Sequence, residues 1–137
     1  MSIIRLVRLL TILPLTYISV ALAQEPDADL HKAAEKGDTA TVRALLANNA
    51  SVNTQDRKGV TALMLAAVAS HSETVELLLK HDADPNLRDR DGDTALKYAA
   101  WNDDVFVVEA LIAKGAQVDL ASELNITPLR VAATSGN

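Results

Sequence analysis

Apolar residues in this chain return in pairs of short runs. In "SETVELLLKHDADPN" (72–86), Val75, Leu78 and Leu79 recur at i, i+3 and i+4, one apolar stripe along a helix whose other positions are mostly Ser, Glu, Thr and Lys. Val42, Leu45 and Leu46 write the same stripe upstream, and Val108, Leu111 and Ile112 write it downstream. Ahead of each stripe lies a run built around paired alanines, Ala33-Ala34, Ala66-Ala67 and Ala99-Ala100. Ala carries almost no side chain, so helices of neighbouring units can approach closely at such a pair. The predicted unit is helix, tight turn, helix, loop.

The unit has a fixed length. "GVTALMLAA" (59–67), "GDTALKYAA" (92–100) and "NITPLRVAA" (125–133) align with Thr61, Thr94 and Thr127 spaced 33 residues apart, and "DLHKAAEKGD" (29–38) is a weaker earlier copy. Each Thr hydroxyl is placed to cap the first helix, and Pro128 suits a first helical turn, where no N–H is needed. First helices are expected to end near Gly37, Ser70, Asp103 and Gly136, and second helices at Asn49, Asp82 and Gly115, residue types that tolerate positive φ. "DRKG" (56–59), "DRDG" (89–92) and "SELN" (122–125) then read as projecting β-turns. No segment reads as an independent strand.

At these residues the chain resembles the ankyrin-repeat proteins. "TALM" (61–64), "TALK" (94–97), "TPLR" (127–130) and "LHKAA" (30–34) carry the first-helix motif, and "LLLKHDADPN" and "LIAKGAQVD" carry the second helix and loop. The resemblance covers residues 27–137 and implies an all-α solenoid of helix-turn-helix units with projecting β-turn tips. About three full repeats (27–55, 56–88, 89–121) and a truncated fourth (122–137) are expected. The motif His survives only as His31 and is replaced by Met64, Lys97 and Arg130, so its usual local hydrogen bonds are not expected in those repeats. A solenoid end normally needs a polar cap, and the short fourth repeat leaves Leu129, Val131 and Ala132 partly covered. Three readings stay open: a longer array, a frayed terminal helix, and completion by a partner or a second copy.

A leader precedes the repeats. Arg5 and Arg8 form a basic n-region, Leu9 to Val20 an apolar h-region, and "ALA" (21–23) a small-residue cleavage site before Gln24. Residues 1–23 therefore read as a secretory signal peptide cleaved after Ala23. The apolar run falls short of the ~20 residues of a spanning helix and contains Pro14, so no stable membrane insertion is expected after cleavage. An ankyrin array behind such a leader resembles bacterial periplasmic proteins, which makes a periplasmic or secreted location the expectation. The absence of Cys excludes disulfides, so packing alone must hold the fold. The formal charge of −5 falls to −7 once Arg5 and Arg8 leave with the leader, a surface that repels phosphate backbones and argues against nucleic acid.

Chemistry is hard to find. "DRDGD" (89–93) imitates the start of a calcium loop, but Thr94 and Ala100 stand where the loop needs Gly and a bidentate Glu. His31, His71 and His81 lie outside any metal-ligand spacing, and there is no nucleophile elbow, Cys nucleophile or phosphate loop. No enzyme activity and no cofactor are expected. "NAS" (49–51) and "NIT" (125–127) match glycosylation sequons, although the repeat register already explains Asn49 and Asn125 as backbone residues.

What remains is binding. In the ankyrin resemblance, the turn tips and the exposed side of the first helices line a concave groove where partners bind. Position by position, the tips supply Arg57, Lys58 and Val60, then Arg90, Asp91 and Asp93, then Glu123, Leu124 and Ile126. The first-helix ends supply Glu35 and Lys36, Val68 and Ala69, and Trp101 and Asn102. Trp101 is expected to be a partly exposed anchor, Tyr98 to pack between repeats, and Phe106 either to point outward at the place of Glu73 or to fold back on a neighbour. The function implied is a secreted, non-enzymatic scaffold binding a protein partner. The alternatives are a self-assembling module that stacks through its last repeat into a homo-oligomer, and an exported effector or inhibitor.

Overall fold

The computed structural model describes residues 26–118 and the isolated helical position 133. The leader, Leu124, Asn125, Ile126, Pro128 and the rest of the fourth repeat apart from position 133 lie outside the described residues. Among the described residues six helices follow one another: α1 (Pro26–Lys36), α2 (Thr39–Ala47), α3 (Ala62–Val68), α4 (Ser72–Lys80), α5 (Ala95–Trp101) and α6 (Val105–Ala113). No strand occurs among the described residues.

The caps start the helices where the sequence places them. Thr61 Oγ1 accepts from Met64 N at 3.2 Å and Thr94 Oγ1 from Lys97 N at 3.3 Å. Asp38 and Asp104 do the same for α2 and α6, accepting from Thr41 N at 3.0 Å and Val107 N at 3.1 Å. Only His71, ahead of α4, offers no side-chain cap among these five described N-caps.

Every helix stops in the left-handed region. φ is 70° at Gly37, 56° at Ser70, 57° at Asp103, 65° at Asn49, 63° at Asp82 and 88° at Gly115, the six described positions the register singles out. Each stop is closed by a bond from the following N–H to the carbonyl five residues back, such as Asp38 to Ala33 at 3.0 Å and Ala83 to Leu78 at 3.1 Å. That bond satisfies carbonyls a helix end otherwise leaves bare.

The first helices α1, α3 and α5 stack on one another, and the second helices α2, α4 and α6 form a parallel stack against them. Ala34, Ala66, Ala67 and Ala99 are fully buried, which lets the first helices approach closely. Leu30, Val42, Leu63, Met64, Val75, Leu78, Val107 and Leu111 fill one continuous core between the stacks. The fold is an all-α repeat solenoid.

Polar rungs tie the repeats together. Asn53 accepts from Asp84 N at 2.8 Å and donates to Asp82 O, and Asn86 repeats this one unit on with Gln117 N at 2.8 Å and Gly115 O. The tips touch through backbone: Arg90 N donates to Lys58 O at 2.9 Å. Gly59 permits that approach, since a Cβ there would stand 3.0 Å from Asp89 Cα and its φ is +79°.

At Met64 and Lys97, the described His replacements, the imidazole's bonds are replaced by others. His31 bridges Asp27 O at 2.7 Å and Val60 O at 2.9 Å, as the motif implies. At the next two copies different chemistry does the local work: Met64 Sδ accepts from Thr61 N at 3.4 Å, and Lys97 Nζ pairs with Asp93 at 2.5 Å. A flexible thioether or ammonium can reach back over one turn just as an imidazole does.

Candidate protein-binding groove

Asp93, Lys97 and Trp101 follow one another at intervals of four, which sets them in a row along α5 and the residue pair before it. Beside this row lies a cleft of ≈ 420 Å³ lined by Val68, Asp93, Lys97, Tyr98, Trp101 and Asn102. It runs between the ends of α3 and α5 and toward the tip at 89–93.

Trp101 is the last residue of α5, one step after Ala99 and Ala100 have carried the buried side of the helix. It is 67% exposed and Val68, its counterpart in α3, is 47% exposed. Asn102 holds the two together, because its Nδ2 donates to Val68 O. The apolar pair is therefore presented by two helix ends that a side-chain bond keeps in register.

At the other end of the cleft, polar groups satisfy one another. Tyr98 OH donates to Asp89 Oδ2 at 2.5 Å, while Asp89 Oδ1 accepts from Asp91 N at 3.0 Å and Asp93 N at 2.9 Å. Desolvation first, and then the bond to Asp89 and the charges of Asp93 and Asp91, push the Tyr98 phenol well above the usual phenol range. The Asp93–Lys97 pair has side chains only 13% and 11% exposed, so it forms the wall of the cleft and is not a free rim charge.

The neighbouring tip is built alike. Asp56 Oδ1 accepts from Lys58 N at 2.7 Å and Val60 N at 2.9 Å. Desolvation acts to raise the exposed Asp56 carboxyl, but these N–H bonds outweigh it and hold the group below its ordinary value.

The expected binding residues thus divide. Arg57, Lys58, Arg90 and Asp91 are exposed on the tips, and Val68 and Trp101 are exposed in the cleft. Val60 is half-buried and packs against the core, with its carbonyl bonded to His31, so its side chain belongs with the packing rather than with the surface. Asp93 and Asn102 touch the cleft but already hold structural bonds. Leu124 and Ile126 lie outside the described residues. Tyr98 packs against the core, as its register suggests, and also lines the cleft together with Lys97. The four-residue spacing of Asp93 and Lys97 was the signal that could have placed Lys97 there.

Phe106 does not fold back; it is 78% exposed. The other motifs are occupied by structure. His71 Nε2 lies 3.1 Å from Glu35 O across the repeat junction, and His81 is the exposed C-cap of α4. Asp89, the first acid of "DRDGD", spends both carboxylate oxygens on the tip and on Tyr98. Asn49 is an exposed left-handed residue at the end of α2.

Stacked helix pairs joined by bonded tips call for comparison with known repeat families, and the model for ankyrin repeats (3 copies) matches residues 30–122. The chain belongs to the ankyrin-repeat family. A search of curated proteins finds no significant match. Ankyrin repeats generally serve as protein–protein interaction modules and are typically non-enzymatic scaffolds. Among the described residues no helix is long and apolar enough to cross a membrane.

Proposed function

We propose that this ankyrin array is a non-enzymatic scaffold, exported by its leader to the periplasm or beyond, that captures a protein partner in the cleft between α3 and α5. The carrying observation is Trp101, 67% exposed beside Val68 on helix ends fixed by Asn102. Tryptophan dominates binding energy where a rigid surface presents it to a partner that can bury it, and ordered repeats spend little entropy on association. The exposed cations of the tips then form a rim around an apolar centre.

Affinity capture tests this reading. The protein is expected to retain its partner, and Trp101→Ala and Arg57→Ala together to release it with an unchanged circular-dichroism spectrum. Capture that survives both substitutions refutes the cleft as the binding site.

A second reading, self-assembly, draws on α6, where Val105 is 55% exposed, Phe106 78% and Ile112 46%. Light scattering across a concentration series separates the two. A monomer at all concentrations excludes self-assembly, whereas a dimer abolished by Phe106→Glu assigns it to α6.

A further inference from the structure

The three second helices begin at equivalent positions with unlike caps. Asp38, His71 and Asp104 stand 33 residues apart, and three places further on come Thr41, Thr74 and Val107. At α2 the Asp38 carboxylate bridges both donors of one residue, accepting from Thr41 N at 3.0 Å and from Thr41 Oγ1 at 2.6 Å. These bonds hold the Asp38 carboxyl below its ordinary value, so they favour the charged form. At α6 Asp104 accepts from Val107 N, and Val107 has no hydroxyl to bridge. α4 carries the Thr without the carboxylate.

His71 does not make up for the loss. Its ring lies across Gly37, where a Cβ would stand 2.7 Å away, and its Nε2 lies 3.1 Å from Glu35 O. The nine-residue helix α4 therefore starts with no side-chain cap, and the N–H groups of Glu73 and Thr74 have no acceptor among the described residues. Thr74 is 1% exposed, and its Oγ1 is buried without a partner, a costly state for a hydroxyl. In front of these donors lies an open cleft of ≈ 230 Å³, with Gly37 and Thr39 on one side and residues 70–74 on the other. It shares no residue with the cleft between α3 and α5. Charge does not choose its occupant, because Glu73 on the cleft wall and Asp38, within reach of Lys36, keep their negative charge. The donors choose it: a bare helix start beside a bare hydroxyl calls for an acceptor with two oxygens.

We propose that this cleft binds a carboxylate from outside the chain, held at α4 as Asp38 is held at α2. One oxygen accepts from the N–H groups of Glu73 and Thr74, and the other from the Thr74 hydroxyl. The α4 dipole favours the negative charge, and Glu73 opposes it. The carboxylate is either a free small anion or the side chain of a polypeptide, and the chemistry at the helix start is the same for both.

The test is a titration of the isotope-labelled protein with sodium acetate against sodium chloride, at constant pH and ionic strength, followed through backbone amide resonances. The Glu73 and Thr74 amides are expected to shift saturably, while those of Thr41 and Val107, already held by Asp38 and Asp104, stay still. Thr74→Val is expected to bind acetate about fivefold more weakly, the net value of one hydrogen bond. Glu73→Gln is expected to bind it about twofold more tightly, the size of one exposed charge contact. His71→Asp gives α4 the cap of its neighbours and is expected to abolish the response; circular dichroism checks that each variant folds. A blocked peptide with one Asp serves as the second source. Tighter binding of the peptide assigns the site to polypeptide side chains and tighter binding of acetate to free anions, the carboxylate standing in both cases. The proposal is overturned by the absence of a saturable shift, by equal shifts at Thr41 and Val107, by a Thr74→Val protein that binds as the parent does, or by a response that survives His71→Asp. Acetamide or inorganic phosphate binding ahead of acetate overturns it in favour of a neutral acceptor or a phosphate.

Discussion

α4 and α6 occupy the same register in successive repeats, yet they face solvent differently. α4 turns Ser72, Glu73, Glu76 and Lys80 outward, where α6 turns Val105, Phe106, Glu109 and Ala113. Inward, the two agree at two places and part at a third: Leu78 and Leu111 are both fully buried and Thr74 and Val107 are 1% and 0% exposed, but Leu79 at 3% gives way to Ile112 at 46%. The contrast extends to the first helices, since Val68 and Leu65 of α3 become Trp101 and Tyr98 of α5. Packing against neighbours fixes the two shared inward positions in both helices. The outward positions have no such duty, so their chemistry reports on what each repeat presents.

If the inward faces are equivalent, the largest effects should match between the two repeats. Leu78→Ala and Leu111→Ala each remove a fully buried side chain and are expected to cost about 2–5 kcal/mol. Urea titration followed by circular dichroism measures both. Stacked repeats are stabilised by nearest neighbours, and α4 has a second helix on either side. A Leu111 cost far below that of Leu78 would show that the third repeat is only loosely coupled to the second.

Thr74 and Val107 allow the equivalence to be broken in both directions. The Thr74 hydroxyl is buried without a hydrogen-bond partner, and Val107 is the same shape without the hydroxyl. Thr74→Val is therefore expected to stabilise the fold by about 1 kcal/mol, and Val107→Thr to destabilise it by about 1–2 kcal/mol. Both are read from urea midpoints. A destabilised Thr74→Val protein would mean that the hydroxyl has a partner, such as a buried water.

How much of this could be read in the sequence follows from the same division. Helix caps at Thr61 and Thr94, left-handed stops from Gly37 to Gly115 and the paired alanines all recur with the period, so one copy interprets another. Exposure of Trp101 was legible for the same reason, through its alignment with Val68 and Glu35. The bonds that shape the cleft were not legible, because each joins residues that the repeat pattern leaves variable. Asn102 to Val68 crosses from one repeat to the next, Tyr98 to Asp89 has no counterpart at Leu65, and Lys97 to Asp93 stands where the motif expects His. The first depends on side-chain reach across a junction and the other two on side chains that this repeat alone carries, with only the four-residue spacing of Asp93 and Lys97 to hint at the last.

Tyr98 makes the difference between the second and third repeats sensitive to pH. Its folded phenol is raised above the ordinary value by desolvation and by the bond to Asp89, so the neutral form is favoured in the folded chain. The resulting stabilisation is fully present below about pH 10, where the unfolded phenol ionises, and is lost as pH rises through the folded value. Tyr98→Phe removes the hydroxyl and with it this loss. The expected result is a urea midpoint that falls more steeply above about pH 10 in the parent than in Tyr98→Phe. At neutral pH the variant is expected to be weaker by about 0.5–1.5 kcal/mol, the net value of one hydrogen bond. Parallel pH profiles would remove the Asp89–Tyr98 bond from the forces that hold the tip against α5.

The smallest effect is expected where the two helices differ most. Phe106→Glu gives α6 the residue that α4 carries at the same place, Glu73. Phe106 is 78% exposed, so little apolar burial is lost, and stability should change by no more than about 0.5 kcal/mol. Glu also falls in the first turn of α6, where the helix dipole favours a negative charge, which offsets part of any lost contact. A loss above about 2 kcal/mol would mean that Phe106 is buried in the protein as it exists in solution, either by another copy or by a partner. Repeating the measurement across a concentration series distinguishes these. A penalty that grows with protein concentration assigns the exposed face of α6 to self-association, and a negligible penalty at every concentration removes self-association through Phe106 from the readings of this face.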